Sequence, residues 1–418
     1  RFAPNIKNVM STDSLGDVLG GSVGEFIKFL PGVTVENDLA DVAGISVRGI
    51  GGGMTSIMND GAPASNIWVS TSRTVDIRSM ALNDISRIEL TKVPTPATPS
   101  DSLACSVNMI SKSAFERSGR VLRYSLNLVG NSENLTLSRT PHSHLDRKTH
   151  KILPGANIDF TWPITKTFGI VIAGTHAEIY NEQHRTLQTW SAVGTGTNAV
   201  SASFANPFLS GLALLDGPRN ITRNTLSVKA DWKVQRNSVL SVGHVASRTD
   251  TRIGSLSMNW NTGTNGTPTP ATGTPFSFGP TFTSGATGRG TLSNNGTNQL
   301  INQITDTSTL SYRYDDGLWR VESGVSRSAS QTKRRYADAG FFLQAIAVNR
   351  VPVRVTYRDI SGARPGVVEV FDNNNQPVDT SDIANYRGTT ANNSTLDYKS
   401  GTNNGYLNIR RSLTFLPV

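Results

Sequence analysis

From Ser118 onward the chain alternates apolar and polar residues in a series of runs. In VLRYSLNLV (Val121 to Val129), Leu122, Tyr124, Leu126 and Leu128 alternate with Arg123, Ser125 and Asn127. A period of two turns one set to each face of a β-strand. Seven further runs predict strands: ANIDFTW (Ala156 to Trp162), TFGIVIAGT (Thr167 to Thr175), TLSVKADWKV (Thr225 to Val234), SVLSVGHVA (Ser238 to Ala246), STLSYRY (Ser308 to Tyr314), LWRVESGV (Leu318 to Val325) and GYLNIRRSLTF (Gly405 to Phe415). The first 117 residues have a different texture. GEFIKFL (Gly24 to Leu30) has helical spacing and is stopped by Pro31-Gly32. Short strands follow at ISVRG (Ile45 to Gly49), TSIMNDG (Thr55 to Gly61), ISRIELTK (Ile85 to Lys92) and SVNMISK (Ser106 to Lys112), each bounded by turn residues.

The connections between the long strands alternate in length. PITK, QRN and Asp315-Asp316-Gly317 are short, whereas about 26, 49, 61 and 79 residues separate the other neighbours. A compact soluble domain rarely carries such loops, but barrels of the outer-membrane type pair short turns on one side with long loops on the other. Trp162, Phe168, Trp232, Tyr312, Tyr314, Trp319 and Phe415 all fall near a short turn or the chain end. That is where a girdle of interfacial aromatics belongs. From Ile253 to Thr305 the only charged residue is Arg289, and the segment is expected to bury no core of its own. It reads as a mobile surface loop or a polar recognition surface.

Composition sharpens this picture. Among 418 residues, 17% are charged and 38 are glycine. No run approaches the roughly 20 apolar residues of a membrane helix, which excludes a helical membrane protein and leaves a β-barrel open. The single Cys105 excludes an internal disulfide and a multi-cysteine metal site. The net charge of +9 lies wholly in the second part: residues 1–117 hold 10 Lys+Arg against 12 Asp+Glu, residues 118–418 hold 30 against 19. These basic residues are scattered over strands and loops, so no nucleic-acid partner is expected.

In order, the first part carries GEFIKFLPGVTV, ISVRGIG (Ile45 to Gly51), NDGAP (Asn59 to Pro63), ISRIELTKVPTP (Ile85 to Pro96) and SVNMISKS (Ser106 to Ser113). Five elements in this succession resemble the plug domain of TonB-dependent outer-membrane receptors. The resemblance implies an α+β plug domain over residues 1–117, followed over residues 118–418 by the first antiparallel strands of a transmembrane β-barrel that has 22 strands when complete. It implies a Gram-negative outer-membrane receptor that takes up a scarce nutrient of the siderophore, cobalamin or oligosaccharide type. Its partners would be the energy-transducing TonB complex, outer-membrane lipid and lipopolysaccharide, and the small-molecule or oligosaccharide substrate. Neither a cofactor nor chemistry on the substrate is implied, and no catalytic constellation is found. The alternative is a receptor-like surface component without transport. No energising box is recognisable before Asn5. Eight strands enclose only a side-chain-filled barrel, so a plug of this size leads to the expectation that roughly 14 strands lie outside this chain, with Val418 near a periplasmic turn.

By match to the family's RG and RIE elements, Arg48 and Arg87 are expected to pair with acidic residues of the barrel wall, Glu322 being the local candidate. Gly49, Asp60 and Gly61 are expected in tight turns, since Asp-Gly is a strong hairpin dipeptide. Where the family has a Gly-Gly pair this chain has Cys105-Ser106, and Cys105 reads as a small buried residue. Period two turns Arg123, Lys229, Lys233, Arg313, Arg320 and Arg410 toward the lumen with Asp159, Asp231 and Glu322. Of these, Arg123, Lys229, Arg313 and Arg320 are the substrate candidates, and their excess over acids favours an anionic ligand. HSHLDRKTH gathers His142, His144 and His150 with Asp146 as candidate metal ligands, although a solvated loop is the simpler reading. Sequons at Asn134, Asn220, Asn265, Asn295 and Asn393 carry no meaning in a bacterial outer membrane. Arg411 shares the apolar parity of Leu407, Ile409, Leu413 and Phe415, so mid-membrane placement would be costly.

Overall fold

A computed structural model describes residues 7–12, 22–38, 41–65, 75–78, 80, 82, 84–93, 102, 104–194, 201–264 and 266–412. Residues before Asn5, Pro96, Asn265, Leu413, Phe415 and Val418 lie outside the described residues. In the first part, β1 (Lys7–Ser11) precedes α1 (Val23–Ile27), whose Phe26 and Ile27, with Leu30 beyond its end, are buried. Gly24 is required there: a Cβ would sit 2.8 Å from the Val42 Cβ. The hairpin β2 (Val33–Asp38) and β3 (Asp41–Val47) covers the helix. Beside it lies a sheet of β4 (Thr55–Asn59), β5 (Ala62–Pro63), β6 (Ile85–Thr91) and β7 (Cys105–Ser111) in the order β1-β6-β7-β4-β5. Its pairs are antiparallel except β4 with β7. Phe26, Ile45, Ile57, Ile77, Ile88 and Val107 form one core within this unit. Cys105 is buried in it, 3.6 Å from the Thr55 hydroxyl.

The long strands follow. β8 (Val121–Val129) leads through a small hairpin, β9 (Thr140–Pro141) and β10 (Lys148–Thr149), into β11 (Leu153–Pro163) and β12 (Phe168–Asn181). A second hairpin, β13 (His184–Ser191) and β14 (Phe208–Asp216), leads to β15 (Arg219–Gln235) and β16 (Ser238–Asn261). β17 (Ser277–Gly279) and β18 (Phe282–Ser284) precede β19 (Thr291–Asp315) and β20 (Trp319–Arg335). β21 (Gln344–Asn349), β22 (Arg354–Arg358), β23 (Val367–Phe371) and β24 (Tyr386–Asn392) lie before β25 (Leu396–Arg411). Within the described residues each of the eight expected runs falls on a strand, the last as far as Arg411, and β8-β11-β12-β15-β16-β19-β20-β25 pair antiparallel in sequence order. Among the described residues this wall is open, since β8 pairs only with β11 and β25 only with β20.

Register fixes the two faces. Arg123 faces Asp159, Asn157 faces Ser125, Lys229 faces Val171, and Thr305 faces Ser247, so these residues share the face that meets the first domain. The opposite face carries exposed Leu122, Tyr124, Leu126, Leu128, Leu226, Val228, Leu407 and Ile409. Trp162, Phe168, Trp232, Tyr312, Tyr314 and Trp319 all have the outward parity at the short-turn end. Arg411 is also outward but pairs with Trp319 beside the 316–318 turn, its guanidinium 5.1 Å from the indole. The strand ends there, so the charge sits in the aromatic girdle rather than at mid-depth.

The region expected to lack a core has one. β16 and β19 run for 24 and 25 residues, well beyond the roughly 9–11 a tilted membrane crossing needs. Their far ends pair with β14 and β21 instead of continuing along β15 and β20. Leu209, Leu212, Trp260, Leu292, Val355 and Tyr357 pack between this extension and the sheet β17-β18-β22-β23. Phe208, Phe276, Phe278 and Ala286 form a second cluster. The polar segment supplies only a few apolar residues, and distant parts of the chain supply the rest.

If the outward face meets lipid, Leu126→Arg should cost about 2–4 kcal/mol near mid-bilayer. Urea titration of protein folded into lipid vesicles measures this, and Arg411→Ala should change stability by far less.

Candidate functional site: the plug–wall seam and the outer cavity

Both turn motifs adopt a conformation with two consecutive positive φ angles: Arg48 (53°) with Gly49 (77°), and Asp60 (49°) with Gly61 (80°). This is the tight hairpin turn whose twist matches its strands. At the first, Val47 and Ile50 exchange two backbone hydrogen bonds of 3.1 Å. Arg48 therefore stands exposed at a turn tip and, among the described residues, makes no ion pair. Arg87 pairs with Glu89 of its own strand at 2.8 Å. Glu322 is taken by Arg320 at 2.5 Å and Arg313 at 4.0 Å, close to the 316–318 turn. Neither expected arginine meets a wall carboxylate among the described residues. Arg48 is carried outward by its turn, and the period of β6 places Arg87 two residues from Glu89.

Other residues join the two parts. The Asp60 carboxylate accepts from the Ser111 backbone N–H (2.9 Å) and hydroxyl, and pairs with Lys229 of β15 at 3.6 Å. The Lys229 ammonium also donates to the Ser111 hydroxyl at 2.6 Å. Lys112 pairs with Asp159 of β11. Asp231, 1% exposed, accepts from the Ser113 hydroxyl and the Ala114 N–H, both at 2.8 Å, and from the Ser241 hydroxyl at 2.6 Å. Gly169 makes room, since a Cβ would lie 2.7 Å from that of Ala114. Farther round, Ser65 bonds Ser328 (3.1 Å) and Ser400 (2.8 Å). Sequence reasoning put Lys229, Asp159 and Asp231 on the lumen face but missed Lys112 to Ala114 as their partners. The polar run closing the last plug strand was the available signal.

The substrate candidates divide accordingly. Lys229 is spent on the seam, Arg313 and Arg320 are held by Glu322 at the short-turn end, and Arg123 lines a small crevice with Lys112, Glu116 and Asp159. At the other end a cavity of about 1200 Å³ opens between the strand extensions and their covering loops. Leu214, Leu256, Met258, Phe342, Ile346 and Tyr386 give it a mostly apolar lining. His184, Arg185 and Arg364 add polar groups, with His184 held by Asp216 at 3.4 Å. None of these was singled out from sequence, because they come from three separate connections.

The histidine run does not converge. His142 is buried with Asp146 at 3.6 Å, His144 contacts the Gln299 carbonyl at 3.0 Å, and His150 contacts the Leu137 carbonyl at 3.0 Å. Among the described residues no three His, Cys, Asp or Glu side chains are grouped to hold a metal. Burial, aided by Arg147, pushes His142 down to about 4. An opened loop would protonate this ring near 6.5, so between those values only the open form takes the proton. Loop closure should therefore weaken as pH falls from 6.5 toward 4. Faster exchange of the Leu145 amide, corrected for intrinsic pH effects, reads this out.

The family described as "TonB-dependent Receptor Plug Domain" matches residues 1–104. No curated protein matches the chain. Among solved structures, the ferric enterobactin receptor PfeA of Pseudomonas aeruginosa is 11% identical, with a TM-score of 0.40 over 99% of this chain and 60% of that one. The copper transporter OprC is 10% identical, with a TM-score of 0.42 over 98% and 60%. The siderophore receptor PirA of Acinetobacter baumannii is 10% identical, with a TM-score of 0.35 over 98% and 59%. This chain thus spans about 60% of the length of the structures it matches.

The seam makes a direct forecast. Asp231→Ala removes the acceptor of three donors and should loosen the plug by about 1–3 kcal/mol. Arg48→Ala with Arg87→Ala should loosen it less. Limited proteolysis of the plug ranks the variants.

Proposed function

We propose that this chain, which carries a TonB-dependent receptor plug domain followed by barrel-type strands, belongs to an uptake receptor of a Gram-negative outer membrane. The observation that supports this reading most is the plug's seating. A domain with its own apolar core is held by a few polar contacts against a wall whose opposite face is apolar and girdled by aromatics. Shifting such a domain breaks hydrogen bonds and ion pairs while its own core stays intact.

In this reading the nutrient, of the siderophore, cobalamin or oligosaccharide type, binds first in the outer cavity. Its volume suits a ligand larger than the usual drug-sized molecule, and Arg185 and Arg364 favour an anionic group. Work delivered by the TonB complex then displaces or remodels the plug, with the substrate chemically unchanged. The barrel wall meets lipid and lipopolysaccharide.

Native mass spectrometry of the purified protein against ferric siderophores, cobalamin and oligosaccharides should find one retained class. Cells producing the protein should accumulate that ligand, and a protonophore should stop accumulation while leaving surface binding intact. Binding without any energised accumulation would instead favour a surface-interaction component. For an anionic ligand, Arg185→Glu with Arg364→Glu should weaken binding at least tenfold, about 1.4 kcal/mol.

A further inference from the structure

Midway along the seam the plug faces β15, β16 and β19 across a cavity of about 50 Å³. Asn59, Asp84 and Met109 line it from the plug, and Thr225, Ser247 and Thr305 from the wall. A water needs about 10–15 Å³ by this measure, so there is room for a few. Asp84 is 3% exposed, and its carboxyl is hydrogen-bonded to the Ser227 side chain of β15. Among the described residues its Oδ2 has no hydrogen-bond partner, nor do two other buried oxygens from the cavity's lining residues, Asn59 Oδ1 and Thr305 Oγ1.

Among the described residues the charges around Asp84 do not neutralise it. Asp60, on the β4–β5 turn, repels its charge, and Lys112, just beyond β7, attracts it. Yet Lys112 is engaged by Asp159 of β11, and Lys229 of β15 by Asp60. Among the described residues β16 and β19 present only Val245, Ser247, Thr305 and Thr307 to the cavity. A carboxylate removed from water with no cation in contact is costly, and taking up a proton is the ordinary relief.

We propose that Asp84 is a proton-binding site at the plug–wall seam, and that its protonation tightens the plug in its seat. Asp84 is pushed up to about 6, first by burial and then by Asp60, against the opposing effects of Ser227 and Lys112. The sign follows from linkage. With the seated value above that of a hydrated carboxyl, seating gains from the proton at low pH and loses that gain as pH rises through 6. Near neutrality the plug sits on an ionised, under-compensated carboxylate, which makes displacement easier. The inference concerns plug seating and stands whatever the receptor carries.

Ser65, 4% exposed and bonded to Ser328 and Ser400 of the wall, can report unseating once replaced by cysteine in a Cys105→Ser background. Maleimide labelling of the purified protein in detergent is followed from pH 5 to 8, each rate divided by that of free cysteine at the same pH. The corrected rate should rise about tenfold between pH 5 and 7 and level off above. Asp84→Asn should label slowly with little pH dependence. A flat profile with Asp84 intact would overturn the proposal, and so would an Asp84→Asn profile that still rises to the same extent. Should Asp84→Asn fail to seat, Ser227→Ala decides: loss of a bond favouring the ionised form should move the midpoint to higher pH, and an unmoved midpoint refutes the site.

Discussion

The architecture rests on continuous backbone pairing along the wall. A strand crossing a membrane has no water to satisfy its N–H and C=O groups, so each must pair with its neighbour for the whole crossing. From β8 to β25 the registers run with few interruptions, one being the bulge between Trp232 and Gln235 beside the short turn. Unbroken register carries parity from strand to strand. Once Leu122 and Leu126 face outward, the alternate positions of every later strand, among them Ser247, Thr305 and Ser328, are committed to the lumen.

A polar lumen determines how a plug can be held. The apolar core of the first domain is closed within itself, and the groups it offers the wall are a turn carboxylate, a lysine, hydroxyls and a backbone N–H. Partial burial lets such contacts exceed the small worth of exposed pairs. Water can also take their place when they part. Adhesion and releasability thus come from the same choice of residues.

Beyond the crossing, the longest strands lose their neighbours and acquire new ones. β14 takes over from β15 along β16, and β21 takes over from β20 along β19. These exchanges open the wall into a separate layered body, with Trp260 and Tyr357 in its core and the Tyr357 hydroxyl bonded to the Trp260 carbonyl at 2.7 Å. The large cavity lies along this body, away from the aromatic girdle.

Sequence alone determined what depends on local periodicity. The strand runs, the short turns, the girdle aromatics, the Asp60-Gly61 turn and the burial of Cys105 follow from period two and from which residues tolerate a positive φ. What joins residues far apart in the chain required the fold. Among the described residues Arg48 makes no ion pair and Arg87 pairs with Glu89, while Lys112, Ser113 and Ala114 make contacts with the wall. The core under the polar 253–305 segment and the lining of the outer cavity are assembled from several connections, each too sparse in apolar residues to announce itself. Side-chain parity is a property of a single strand, whereas an ion pair or a cavity belongs to several segments brought together, and only tertiary structure decides which ones meet.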